Sequence, residues 1–206
     1  SGTWVYEGSA AERLWQKSAI GRPNGEGKLE LSPAETLFVH YHRHIDLPTN
    51  DWMNIALNKY SMLLQEYSIL EALRLPGNKI VLSQNMGIFS HQIHPKSWAA
   101  RWTSNTHPRN NKAISEIRWF HESDKLDAIE LHQWTIDVRN SGRTPEVLVV
   151  DEELSVVTYQ LSSQNPSGSF HDHEAIESLA NLSGGIFSAD GLLYPSDDWK
   201  IQQLGV

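Results

Sequence analysis

Apolar and polar positions along this chain follow two rhythms, and the rhythm changes near residue 76. Trp4-Val5-Tyr6 reads as a short strand, and Ala10 to Ser18 as a helical piece with Leu14 and Trp15 on its apolar side. Gly21-Arg22-Pro23-Asn24-Gly25 is a turn cluster, after which Lys28-Leu29-Glu30-Leu31 alternates as a strand does. Ser32 then opens a helix: it caps, Pro33 takes the first helical position, and Glu35 stands three residues after the cap to complete a capping box. Leu37, Phe38 and Tyr41 give that helix its buried side. Beyond the loop around Pro48, with Thr49 or Asn50 as cap, the pattern predicts one long helix from Asp51 to Leu75. Trp52, Ile55, Ala56, Leu63, Tyr67 and Leu70 recur there at helical spacing, and Pro76-Gly77 stops the run.

The second half reads differently. Lys79 to Leu82 and Met86 to Ser90 are predicted strands, His91 to Asn111 a loop, and Ile114 to Phe120 an alternating strand. Asp124 to Asn140 is helical, with Gly142 in the usual stop position. Val147 to Val150 is a compact apolar strand, and Val156 to Leu161 returns as its hairpin partner across Asp151-Glu152-Glu153. This order predicts an α+β fold with no internal repeat. It comprises an N-terminal mixed α/β domain over residues 1–76, a second α/β domain with a mixed sheet over 77–163, and an acidic tail over 164–206.

Composition narrows the class. The 206 residues, 39% hydrophobic and 20% charged, suffice for one large or two small domains with a real core. The absence of cysteine excludes a disulfide framework and thiolate metal sites. No apolar run approaches the roughly 20 residues of a membrane span, and the N-terminus lacks a basic-then-apolar signal pattern. A cytoplasmic protein with no membrane contact is therefore expected, and Ser1-Gly2 reads as a scar of tag removal.

Charge changes the picture most. Residues 1–150 hold 16 basic and 16 acidic side chains, whereas residues 151–206 hold nine acids against Lys200 alone, which gives the formal charge of −8. Within the balanced part no acid occurs from Ala72 to Ser115. That stretch carries Arg74, Lys79, Lys96, Arg101, Arg109 and Lys112, with Trp98 and Trp102 between them. Cations pair with phosphates and flat rings stack on unpaired bases, so Lys96, Arg101, Trp102, Arg109 and Lys112 are candidate RNA-binding residues. The competing reading is that Trp98 and Trp102, four residues apart, simply pack a short helix onto the core. The acidic tail suits solvent or a basic partner.

Other clusters favour plain readings. His40, His42 and His44 fall at a helix C-terminus, where they complement its dipole better than they gather a metal. His171, Asp172, His173 and Glu174 are denser but lie in an unpatterned tail, where solvation is the better reading. His121, Glu122 and Lys125 stand at a helix start, where charged side chains are usually solvated. No metal or cofactor site is assigned.

A family comes into view in two places. Trp4-Val5-Tyr6-Glu7-Gly8, Gly21-Arg22-Pro23 and the run from Gly27 to Glu35 resemble the N-terminal domain of archaeal tRNA-splicing endonucleases. Leu131-His132-Gln133-Trp134, Val147 to Val150, Asp151-Glu152-Glu153 and Val157-Thr158-Tyr159 resemble that family's C-terminal helix, strand, acidic turn and final strand. The resemblance covers about residues 4–162 and implies a nuclease-like second domain. It also implies metal-independent cleavage of precursor tRNA at a bulge-helix-bulge by a Tyr, a His and a Lys. A 2′-hydroxyl attacks its own phosphate, so one group accepts a proton, one gives a proton and a cation steadies the phosphorane.

Aligned on the family, the Tyr position falls at or beside Phe89, the His position near Lys112, and the Lys position on Arg143. A guanidinium can hold a phosphate but does not give up its proton, so Arg143 joins the RNA-binding candidates and no residue is assigned as catalytic. His107 remains an alternative for the His role. The resemblance further implies that Asp151, Glu152 and Glu153 dock into a basic groove of a catalytic unit. Val157 and Tyr159 sit in a final strand that pairs units edge to edge. The first expectation is therefore a structural subunit of a tRNA-splicing endonuclease that pairs with a catalytic subunit, or with itself, and helps hold precursor tRNA. An active endonuclease with a displaced triad and a stand-alone RNA-binding scaffold are the rivals.

Overall fold

The capping box predicted at Ser32 is the joint on which the N-terminal part is assembled. In a computed structural model, which describes residues 4–24, 27–88 and 92–162 and the short strands at 186–187 and 193–194, Ser32 Oγ accepts the Glu35 amide at 3.1 Å. Glu35 Oε2 in turn accepts the Ser32 amide at 3.0 Å. The other oxygen, Oε1, accepts the Gly21 amide at 2.9 Å, which ties the turn before Arg22 to the start of α2 (Pro33–Arg43). Gly21 has φ +76, and a Cβ there would lie 2.7 Å from Leu31 Cδ2 and 2.8 Å from the Glu30 carbonyl. Only glycine fits that approach.

Around this joint β1 (Trp4–Tyr6), β3 (Leu29–Leu31) and β2 (Arg22–Pro23) form a three-stranded antiparallel sheet in that spatial order, with α1 (Ser9–Ser18) between β1 and β2 in sequence. Arg74, at the end of α4 (Leu63–Arg74), locks the assembly from within. Its buried guanidinium donates to the carbonyls of Ser18 (2.9 Å), Ala19 (3.3 Å) and Ile80 (2.5 Å) and lies 4.0 Å from Glu35. Burial pulls the Arg74 pKa down to about 10 while Glu35 opposes the shift, so the group stays charged near neutrality.

The predicted helix from Asp51 to Leu75 is instead two helices, α3 (Trp52–Lys59) and α4, separated at Tyr60, whose backbone is extended. Between Ala56 and Leu63 the buried spacing lapses. A single rod of that length would span about 37 Å and carry one end off the core. Breaking at Tyr60 instead lets Trp52, Met53 and Tyr60 pack against the same cluster that α4 enters through Leu63, Ile69 and Leu70.

The second half is a five-stranded mixed sheet in the order β4 (Lys79–Leu82), β5 (Ala99–Trp102), β6 (Ser115–His121), β7 (Thr144–Val150), β8 (Val156–Gln160). Only β6 and β7 run parallel, joined by α5 (Ala128–Asn140), which Asp127 caps by accepting the Ile129 and Glu130 amides. The α+β class and mixed sheet match the sequence expectation. Two local expectations do not. Met86 to Ile88 do not form a strand, because the chain leaves the β4 ladder in a 3-10 helix, Ser83–Ile88. There Asn85 reaches Glu35 Oε2 at 3.4 Å, and Met86 is buried beside Trp102 and Ala113. Ser90 lies outside the described residues. The supposed loop His91 to Asn111 contains β5, an inner strand. Ala99 and Ala100 hide it from the pattern because alanine is a weak strand former, yet both are fully buried under crowded neighbours.

Alternation sets the two faces of this sheet. Ile80, Leu82, Ala99, Ile117, Leu148 and Val150 join the cluster that contains Leu37, Phe38, Ile69 and Leu70. On the other face Val147 packs with Trp134 and Val138 of α5, and Val81, Ala100 and Trp102 pack with Met86 and Ala113. One core thus draws on residues from both sides of position 76, and contacts divide the chain into units 1–163 and 164–206. Within the second unit, β9 (Ile186–Phe187) and β10 (Leu193–Tyr194) form an antiparallel pair. Among the described residues no helix is long and apolar enough to cross a membrane.

Candidate functional site

Period-two alternation separates residues that the basic stretch appeared to unite. Arg101, on β5, lies beside Ser115 and is held by Glu146 of β7, with Nε 3.2 Å from Ser115 Oγ and 3.0 Å from Glu146 Oε2. Arg143 is held by Glu116, with Nη1 2.5 Å from Oε1, and donates to the Gln92 carbonyl at 2.9 Å. Ser115 and Glu116 are consecutive on β6 and project from opposite faces. Arg101 and Arg143 therefore sit on opposite sides of the sheet. Both acids are about 1% exposed, so neither arginine can leave for a phosphate without stranding a buried carboxylate. Glu116 is also satisfied by the His94 amide and the Ser97 hydroxyl.

Trp102 is 0% exposed, and its indole N–H donates to the Asn111 carbonyl at 2.9 Å. Its ring belongs to the core and offers no platform for a base, although it reaches the core from strand β5 and not from the short helix of the plainer reading. Trp98 is half-buried and donates to Glu66 at 3.2 Å. Burial pushes the Glu66 carboxyl up, with that hydrogen bond opposing and Glu35 adding to the rise. Lys96 bonds Glu130 at 2.5 Å, and Arg118 reaches the same carboxylate at 2.8 Å. Those two cations hold the Glu130 pKa below the usual range.

Arg109 and Lys112 differ. Both are exposed, and neither has a carboxylate partner among the described residues. Arg109 reaches Gln16 Oε1 of α1 at 3.4 Å and its guanidinium lies 5.7 Å from the Trp15 ring centroid. His107, the alternative for the His role, is 3.2 Å from the Trp15 carbonyl, with its ring edge-on to the Trp15 ring. Phe89 lies outside the described residues.

The hairpin candidates fall together. Asp151 accepts the Ser155 amide at 2.8 Å, Glu152 and Glu153 are exposed, and Leu154 turns the chain with φ +65. The Glu152 amide donates to Glu122 at 3.3 Å, which brings a fourth acid to this corner. Glu122 was legible only as a solvated helix-start residue, since the contact depends on β6 and β7 ending side by side. β8 is the outer strand of its sheet, and Val157 and Tyr159 on it are 50% and 52% exposed.

The three helix-end histidines are used locally. His40 Nδ1 is 2.8 Å from the Ile45 carbonyl and His44 adopts φ +54 after α2. His42 Nε2 is 2.7 Å from Glu71 Oε1, to which Tyr67 Oη also donates at 2.9 Å. Burial, and donation to Glu71, push the Tyr67 phenol up. His121 Nδ1 lies 2.7 Å from Ser123 Oγ, while Lys125 is exposed. His171, Asp172, His173 and Glu174 lie outside the described residues. Among known proteins, no family model and no curated sequence matches this chain.

Proposed function

We propose that the chain is a structural, non-catalytic subunit of a tRNA-splicing endonuclease, with a nuclease-like second half, acting in the cytoplasm beside a catalytic subunit on precursor tRNA. The observation that carries this reading is the hairpin β7–β8. Its tip presents Asp151, Glu152 and Glu153 with Glu122, and its outer strand leaves Val157 and Tyr159 half-exposed on an edge that no further strand among the described residues pairs. An acidic tip suits a basic groove, and an open apolar strand suits pairing with another chain. The role without catalysis is supported by Arg143, whose guanidinium is held by buried Glu116 and is not available to a reacting phosphate.

The test is co-expression with a catalytic chain of the family, followed by mass measurement and cleavage of a bulge-helix-bulge RNA without metal. A stable hetero-assembly that cleaves, with this chain alone inert, is expected. Cleavage by this chain alone makes it the enzyme, and a monomer that ignores the catalytic chain ends the docking reading.

A further inference from the structure

We infer that the RNA phosphate backbone is met by a ridge formed by α1 and the loop 103–112, carried by Arg13, Lys17, Arg109 and Lys112. This inference rests on the reading that RNA is a ligand, and moves the contact away from Lys96, Arg101 and Arg143. Arg13, Gln16 and Lys17 stand at i, i+3 and i+4 and share one face of α1. The Arg109 guanidinium bonds Gln16 from the loop side, which makes the helix stripe and the loop one continuous surface. Lys112 follows three residues later in the same loop, and all four cations are exposed. Glu12 is the one acid in residues 8–24 and 103–113.

The chemistry of the ridge favours RNA over an acidic protein. No large hydrophobic side chain of residues 8–24 or 103–113 is exposed, and protein interfaces are organised around an apolar or aromatic centre. A polyanion needs none: cations spaced along a surface displace condensed counterions from successive phosphates. Gln16, Asn110 and Asn111 add neutral side-chain amides of the kind that bond phosphate and ribose oxygens.

The experiment measures binding of the full chain to a fluorescein-labelled bulge-helix-bulge RNA across a salt series. The ridge triple Lys17→Gln, Arg109→Gln, Lys112→Gln is compared with a charge-matched triple, Lys59→Gln, Lys125→Gln, Arg139→Gln. Circular dichroism checks the fold of both, and Arg13→Gln alone serves as a milder probe. Each lost phosphate contact should lower the log–log salt slope by about 0.7–0.9, so the ridge triple should lose about 2 of slope and at least about 10-fold in affinity near 0.1 M salt. The control triple should change little.

Wild-type protein that shows no RNA binding removes the RNA reading itself. Binding that survives the ridge triple with its slope intact, or that falls equally in both triples, overturns the ridge alone. Competition by poly-glutamate at the same charge concentration as effective as unlabelled RNA also overturns it, since the ridge would then read acidic chains.

Discussion

The six cations of the acid-free stretch divide at residue 103, and the division teaches what local charge can mean. Before that point Arg74 and Lys79 are buried against backbone carbonyls, while Lys96 and Arg101 are held by Glu130 and Glu146. After it Arg109 and Lys112 stand exposed with no carboxylate partner among the described residues. One uninterrupted run of basic sequence thus serves two purposes, inner fastening and outer presentation. The sheet makes the difference: β7 brings Glu146 to Arg101 on β5, whereas Arg109 in the loop after β5 reaches the neutral Gln16 of α1.

The most forceful way to break this division is Trp102→Ala. If the ring is core, the variant loses about 3–5 kcal/mol in urea denaturation, and RNA affinity per folded molecule falls only as far as freeing the Asn111 carbonyl loosens the loop. A normal melting curve with lost RNA binding would return Trp102 to the surface. Next come Arg143→Ala and Arg101→Ala, each leaving a carboxylate buried without its cation, with an expected loss of about 3 kcal/mol. Adding Glu116→Gln to the first, or Glu146→Gln to the second, should recover part of that loss. Losses below about 0.5 kcal/mol would show the arginines to be free after all.

Tyr159 and Val157 sharpen the contrast from the outer side. Val157→Lys with Tyr159→Lys should alter stability by no more than about 0.5 kcal/mol yet abolish capture of the catalytic chain on co-expression. The smallest effect concerns Lys96, which sits between the two groups. Its ammonium and Arg118 hold Glu130 below the ordinary carboxylate range. The stability from that depression is present above the unfolded carboxylate pKa and fades as pH falls through the folded value. In Lys96→Ala the Glu130 midpoint should move upward in a carboxyl-carbon NMR titration; an unmoved midpoint would assign the whole shift to Arg118.

Sequence pattern carried the local structure far and the pairings hardly at all. Ser32, Pro33 and Glu35 announce their helix because a capping box is a three-residue affair. The hairpin around Asp151 is equally local. Strand β5 was hidden because Ala99 and Ala100 carry no strand signal of their own. Their burial comes from strand partners 16 to 19 residues away in the chain, Val81, Glu116 and Ile117. The site suffered for the same reason. An acid-free window says nothing about Glu116, Glu130 and Glu146, which lie beyond its end and fold back onto it. Arg109 and Lys112 stayed legible because their surroundings include no strand that brings an acid to them.

Lys79 bears on both sides of that division. Its ammonium, at the start of β4, donates to the carbonyl of Ser104 and, at 2.7 Å, to that of Thr106, so a largely buried cation fixes the backbone on which Arg109 and Lys112 are mounted. A loop braced this way loses little freedom when a ligand settles on it, which slows release more than it speeds capture. Loosening that brace should shorten the lifetime of a bound complex even though Lys79 itself never touches the visitor.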